Sequence, residues 1–326
     1  MSRVLVTGGA GYVGSALVPR LLADGHEVTV LDLFLYGDAG LRPADGLRLV
    51  RGDLRDSSVV STALDGVDSV IHLACISNDP SFELDPALGR SINLDSFRPL
   101  VRAAKDAGAE RFVYASSSSV YGVKEGDVTE DVPLEPLTDY SRFKADCEAI
   151  LEEEREPGFT TLTIRPATVC GYAPRLRLDV VVNILTAHAY HRRRIIVHGG
   201  DQLRPNIHVD DMVDLYLLSI TLPTERIDGR IYNAGAKNHT VLELAQTVRR
   251  VVGDDVEIDV QPANDDPRSY HVSSQRILDE LGWQTTRTIE DAVRSLVDAF
   301  DAGLVPNAMD DPRYYNIKTM QAARLA

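Results

Sequence analysis

The sequence predicts an α/β fold built on a doubly wound parallel sheet, with a smaller, interleaved C-terminal α/β lobe. Three observations predict it. Short apolar runs alternate with helical patterns through the first half, which implies right-handed βαβ units. The runs are nearly continuous in Val, Ile and Leu, as strands are when both sheet faces are covered. A glycine-rich turn joins the first run to the first helical pattern.

In order, Val4–Thr7 reads as a strand, Tyr12–Asp24 as a helix, and Val28–Leu31 and Leu47–Val50 as strands. A helix near Ser57–Leu64, a strand at Ser69–Leu73 and one long helix over Pro86–Ala107 follow. Arg111–Ser116 is a strand, Tyr140–Glu154 a helix and Thr161–Arg165 a strand. After Pro166 the pattern changes. Gly171–Arg177 reads as a loop, Leu178–His191 as a helix and Ile195–Val197 as a strand. Helices at Val209–Thr221 and Thr240–Val251, strands at Ile231–Asn233 and Glu257–Val260, and helices near Ser273–Leu281 and Ile289–Ala302 complete the chain. This divides it into residues 1–170 and a smaller lobe, 171–326, with some segments returning to the sheet.

The 326 residues suffice for such a core, and a 44% apolar and 25% charged composition is ordinary for a globular protein. The net charge of −15 argues against nucleic-acid and anionic-membrane partners, which require a basic surface. Cys75, Cys147 and Cys170 are odd in number and widely spaced, giving no disulfide framework and no metal-ligand spacing. No signal-peptide pattern and no apolar run of membrane-spanning length is present, so the cytoplasm is the expected location.

The turn Thr7-Gly8-Gly9-Ala10-Gly11-Tyr12-Val13-Gly14 places Gly8, Gly11 and Gly14 three apart between strand and helix. In a Rossmann-type unit the first allows a tight turn, the second lets the backbone approach a pyrophosphate, and the third lets helix and strand pack closely. The phosphates lie on the helix N-terminus, where free N–H groups and the dipole favour anions. Asp32 ends the second strand, where a carboxylate can hold ribose hydroxyls, and no basic residue follows to meet a 2′-phosphate. NAD is therefore the expected cofactor.

Tyr140 and Lys144 are one turn apart on a helix and share a face. A free tyrosine, with a pKa near 10, is a poor base at neutral pH, but a neighbouring ammonium favours its phenolate. The pair can thus serve as general base and then general acid for a substrate hydroxyl. Ser116, Ser117, Ser118 and Ser119 follow the fifth sheet strand, at the end where such sheets bind ligands. Spacing alone does not say which of the four matters.

Together Thr7–Gly14, Asp32, Gly52-Asp53-Leu54-Arg55-Asp56, His72-Leu73-Ala74, Asn93, Ser116–Gly122, Tyr140–Lys144 and Arg165-Pro166 resemble the extended short-chain dehydrogenase/reductase family, in its NAD-dependent epimerase/dehydratase branch. The resemblance runs to Leu281-Gly282-Trp283. It implies about seven parallel strands, an NAD-binding Rossmann domain in residues 1–170 with a mainly substrate-binding lobe in 171–326, a sugar-nucleotide substrate, and a homodimer formed through Pro86–Ala107 and Tyr140–Glu154. It assigns Ser117 as the catalytic hydroxyl, Tyr140 as the base and Lys144 as the ribose-holding lysine. Asp53 and Leu54 match adenine contacts, Leu73 and Ala74 neighbours of the NAD diphosphate, and Asn93 and Ser116 further cofactor positions. Ser118 and Ser119 match substrate-side positions, Ser119 as a second hydroxyl seen in C4-epimerases. Asn183, Arg204 and Arg268 fit contacts to the substrate diphosphate.

Three departures bear on the activity. Phe143 replaces a usual serine, and Asp266-Pro-Arg-Ser-Tyr-His replaces a common Arg-x-Gly-Asp stretch. Ser118 and Ser119 stand where 4,6-dehydratases carry an acidic pair and decarboxylases a glutamate. The expectation is an NAD-dependent epimerase acting at C4 through a transient 4-keto sugar. A keto-sugar-nucleotide reductase or dehydrogenase is the alternative, and a non-catalytic NAD-binding regulator is disfavoured because Tyr140 and Lys144 are both present.

Overall fold

A computed structural model of the chain describes residues 1–323 apart from 39, 78, 125 and 264–270. Seven strands form one all-parallel sheet: β1 (Arg3–Thr7), β2 (Glu27–Asp32), β3 (Leu47–Arg51), β4 (Ser69–His72), β5 (Arg111–Ala115), β6 (Thr160–Pro166) and, much later in the chain, Arg230–Ala234. Their spatial order is β3-β2-β1-β4-β5-β6 followed by Arg230–Ala234. The order reverses between β1 and β4, and the glycine turn leaves the sheet at that switch point.

Alternate residues of each strand feed different faces. Val4 and Val6 join Val28, Val30, Ile71, Val113, Leu162 and Ile164 on one face. That face is covered by α1 (Tyr12–Ala23) and by a helix from the second half, Val209–Thr221. Leu5, Leu31, Val70 and Phe112 belong to the other face, under α2 (Ser57–Leu64), α3 (Phe97–Asp106) and α4 (Asp139–Glu153). Two-sided coverage explains why the strands read as continuous apolar runs.

The expected long helix over Pro86–Ala107 is not one element. It divides into an α-helical Pro86–Arg90, a π-helical turn Ser91–Asp95 and α3. The widened turn holds Asn93 against the Ile76 backbone: Ile76 N donates to Asn93 Oδ1 at 2.8 Å and Asn93 Nδ2 donates to Ile76 O at 3.0 Å. Such turns often mark functional positions, and Ile76 and Ile92 both line the cleft described below. Leu73, expected at the end of a strand, lies just past β4.

After β6 the chain crosses into the second lobe. There α5 (Val181–Arg192), α6 (Val241–Val252) and α7 (Ile289–Asp301) pack on a parallel pair, Arg194–His198 with Glu257–Gln261. The chain returns to the first half with Val209–Thr221 and again with Arg230–Ala234, which pairs with β6 in register Tyr232↔Ile164. A C-terminal helix, α8 (Asn316–Ala322), comes back over the cleft between the lobes. Cys147 and Cys170 are buried, Cys75 is half-buried, and none of the three is in a disulfide. Among the described residues, no helix is long and apolar enough to cross a membrane, and no cluster of three or more His, Cys, Asp or Glu is built to hold a metal.

Candidate active site

A cleft of about 740 Å³ lies at the switch point, between the carboxyl ends of the strands and the second lobe. One end is the glycine turn. Gly8 has φ +73°, and a Cβ there would lie 2.6 Å from Ala74 N, so only glycine fits. A Cβ on Gly11 would meet only the Gly8 carbonyl, at 3.1 Å, and would otherwise stand in the cleft. Helix α1 begins at Tyr12 with no side-chain cap, and Gly11, Tyr12, Val13 and Gly14 all line the cleft. A bare backbone at an uncapped helix N-terminus is what a diphosphate requires, so the site fits NAD. Tyr12 contributes backbone only. Its phenol is buried, donating to Gly171 O at 2.5 Å, and burial raises its pKa well above the usual value.

Asp32 accepts from Ala10 N at 3.0 Å and Phe34 N at 2.7 Å, which fixes its carboxylate at the cleft edge. Burial raises its pKa, opposed by those two hydrogen bonds. Replacing Asp32 by Asn should weaken NAD binding about tenfold in a fluorescence titration, since hydrogen bonds to a charged group are worth about 1.5–3 kcal/mol. Affinity within about twofold of the parent would show that the carboxylate holds no ribose. Asp53 faces the cleft beside Leu54. Its hydrogen bonds to the Arg55 guanidinium hold its pKa below the usual carboxylate range. Leu73 and Ala74 line the floor.

Two local devices place the side chains expected to be catalytic. Thr138 caps α4 in a reciprocal box: Ser141 N donates to Thr138 Oγ1 at 3.2 Å and Thr138 N donates to Ser141 Oγ at 3.1 Å. This starts the helix at Asp139 and puts Tyr140 in its first turn, with Lys144 one turn later. Lys144 is buried, donates from Nζ to Ala115 O at 2.6 Å, and lies 6.0 Å from the Tyr140 ring centre. After β5, Ser117 caps a 3-10 turn and accepts from Ser119 N at 3.1 Å, leaving the Ser117 and Ser119 hydroxyls 2.9 Å apart. Ser116 through Ser119, Tyr140 and Lys144 all line the cleft.

Behind them is a buried polar chain. Ser116 Oγ donates to Glu148, and Glu148 accepts from Arg165 Nε at 3.0 Å and Nη2 at 2.6 Å. Arg165 Nη1 donates to Tyr121 OH at 2.7 Å, and Tyr121 OH donates to Asn233 Oδ1 at 2.7 Å. His72 is also buried, 2.7 Å from Thr7 Oγ1, and burial, with the Lys144 charge, pushes its pKa down to about 3. It is a neutral strut between adjacent strand ends.

Two expected contacts lie behind the cleft wall. Asn93 has its amide engaged by Ile76. Asn183 is fully buried, donating to Tyr12 OH, Gly171 O and Arg177 O and accepting from Gly171 N. Neither lines the cleft, because the Asn183 amide joins α5 to the 171–177 loop and the Asn93 amide fixes the segment after β4. Arg204 does line it, with His198, Gln202, Val181, Ile184 and Val241. Arg268 lies outside the described residues. Sequence reasoning missed Arg175, Arg177, Tyr36 and Asn316, which also line the cleft. The two arginines stood in plain view in Pro-Arg-Leu-Arg of the loop after Cys170, where a basic pair in an otherwise acidic chain was the available signal.

The sequence profile of the NAD dependent epimerase/dehydratase family matches residues 4–235. A UDP-glucose 4-epimerase of Corynebacterium glutamicum is 29% identical over 95% of this chain and 97% of its own. The structure of the UDP-glucose 4-epimerase of Thermotoga maritima with UDP-glucose superposes with a TM-score of 0.83 at 25% identity, covering 93% of this chain and 99% of that one. The dTDP-glucose 4,6-dehydratase of Streptomyces venezuelae, with NAD bound, gives a TM-score of 0.81 at 26% identity over 92% and 98% of the two chains. The chain belongs to the NAD-dependent epimerase/dehydratase family, and its cofactor is NAD.

Proposed function

We propose that the protein is a sugar-nucleotide epimerase acting at C4. The observation that carries this reading is the polar make-up of the cleft. Its carboxylates among the described residues are Asp32, Asp53 and Asp179. Asp32 is held by backbone N–H groups, Asp53 by Arg55, and Asp179 by Arg177 and the Asn316 backbone. None stands in the Ser117–Tyr140–Lys144 group. What stands there are the hydroxyls of Ser117 and Ser119, which can hydrogen-bond an alkoxide or ketone oxygen but cannot supply the acid that water elimination needs. The epimerases among the relatives support the same reading.

Bound NAD supplies a reversible hydride acceptor. The Tyr140 oxygen takes the proton of the substrate hydroxyl and later returns it. The Lys144 ammonium provides positive charge where the phenolate forms, and its bond to Ala115 O fixes its place. Ser117 and Ser119 orient the reacting oxygen, Ser118 lines the same turn, and Arg204 meets the substrate's diphosphate.

The test is incubation of the purified protein with UDP-glucose, following the anomeric NMR signals. Appearance of UDP-galactose without net formation of NADH is the expected result. Loss of water to a 4-keto-6-deoxy sugar, or a stoichiometric change in added cofactor, would overturn it.

A further inference from the structure

The loop Gly171–Arg177 carries a cation that this mechanism leaves unused. Arg175 N donates to Ser15 Oγ at 3.0 Å, which sets the residue beside the first turn of α1. Its side chain is buried, with 6% of the residue exposed, yet it lines the cleft. The guanidinium carbon lies 3.6 Å from the centre of the Tyr36 ring. Nη2 donates to Asn316 Oδ1 at 2.5 Å, while Nε is buried with no hydrogen-bond partner. No carboxylate among the described residues forms an ion pair with it: Asp179 is engaged by Arg177 Nε at 2.7 Å. Burial pushes its pKa down to about 10, which still leaves it charged at neutral pH. A buried guanidinium lacking both an anion and one hydrogen bond is costly unless a ligand completes it.

Asn316 explains how this group is held. It is buried and bonded on three sides: its N donates to Asp179 Oδ2 at 2.8 Å, its Nδ2 to Ser77 Oγ at 2.9 Å, and its Oδ1 accepts from Arg175. These bonds tie α8 to the segment after β4 and to the 171–179 loop. The amide oxygen is a neutral acceptor, so it orients the guanidinium without discharging it.

We propose that Arg175 is a diphosphate ligand of the cleft, and that Asn316 is the positioning residue that makes the C-terminal helix part of that site. Its seat against Ser15, on the helix whose N-terminus receives the dinucleotide, favours the NAD diphosphate. The diphosphate of a sugar nucleotide has the same chemistry. The inference rests on NAD as the cofactor and is independent of which carbon reacts.

The test uses the full chain cleared of bound nucleotide, with Arg175→Met and Asn316→Asp variants whose melting curves are recorded. ADP-ribose, adenosine and UDP are titrated calorimetrically. Arg175→Met should bind ADP-ribose about 30-fold more weakly, and Asn316→Asp, which gives the guanidinium a counter-ion, about tenfold more weakly. Adenosine, lacking a diphosphate, should be unaffected. A matching loss for UDP in place of ADP-ribose would support the site and assign it to the second diphosphate. Unchanged affinity for both in a folded Arg175→Met protein overturns the proposal, as does an equal loss for adenosine. If Arg175→Met does not fold, unchanged affinities in Asn316→Asp overturn it. None of these readings depends on turnover, so the C4 assignment can fail while this one stands.

Discussion

Tyr140→Phe should lower kcat by at least about 100-fold while leaving NAD affinity and the melting temperature unchanged. Removing one oxygen deletes the proton acceptor of the proposed reaction. The ring keeps its packing in the apolar cluster of Ile76, Phe82, Leu88, Ile92 and Met320, and the Thr138–Ser141 box still starts the helix. A 100-fold loss corresponds to about 2.7 kcal/mol of barrier, within what positioned acid–base catalysis supplies. Initial rates with UDP-glucose, alongside an NAD titration, separate the two quantities. Turnover within about threefold of the parent would remove Tyr140 from the chemistry.

The largest stability effect should come from Arg165→Met. Only 4% and 5% of the Arg165 and Glu148 side-chain surfaces are exposed, and their ion pair lies between the sheet and α4. Taking away the guanidinium leaves a buried carboxylate with the Ser116 hydroxyl as its remaining donor, and deprives Tyr121 of one partner. Breaking a buried pair in this way costs roughly 3–5 kcal/mol. The urea midpoint should fall accordingly at constant m-value. Replacing both partners, Arg165→Met with Glu148→Leu, should recover most of the loss, because no uncompensated charge remains. A single variant losing under about 1 kcal/mol would show that water reaches the pair. Ser116, at the end of this chain, lines the cleft, so catalysis should also suffer in the single variant before the fold is lost.

The sheet and its glycine turn were legible because they rest on local signals: apolar runs of strand length, and three glycines where the backbone must approach another backbone or a phosphate. Tyr140 and Lys144 were legible for the same reason, one helical turn fixing their relation. The start of that helix was read one residue late, because Ser141 closes the capping box where Glu or Gln is the usual signal. The break at Ser91–Asp95 had no local mark. It exists because Asn93 serves a backbone segment seventeen residues away. Asn93 and Asn183 show the limit of motif matching: each asparagine stands near the cleft but is turned into the protein, which only the tertiary hydrogen bonds reveal. Arg175 and Asn316 are 141 residues apart, and no sequence period could bring them together.

The strand Arg230–Ala234 has a consequence for how the molecule assembles. It completes a sheet whose other members all lie before residue 167, so its partner β6 waits for a chain segment from beyond the second-lobe helix α5. Until that segment arrives, β6 is a bare edge of seven residues, six of them buried in the finished protein. Such an edge is a template for pairing with another chain. The first 170 residues therefore contain the glycine turn but not the strand that closes the sheet, and a non-local closing contact of this kind slows folding. A chain truncated before residue 230 should therefore aggregate more readily than the full chain, which light scattering after dilution from urea would report.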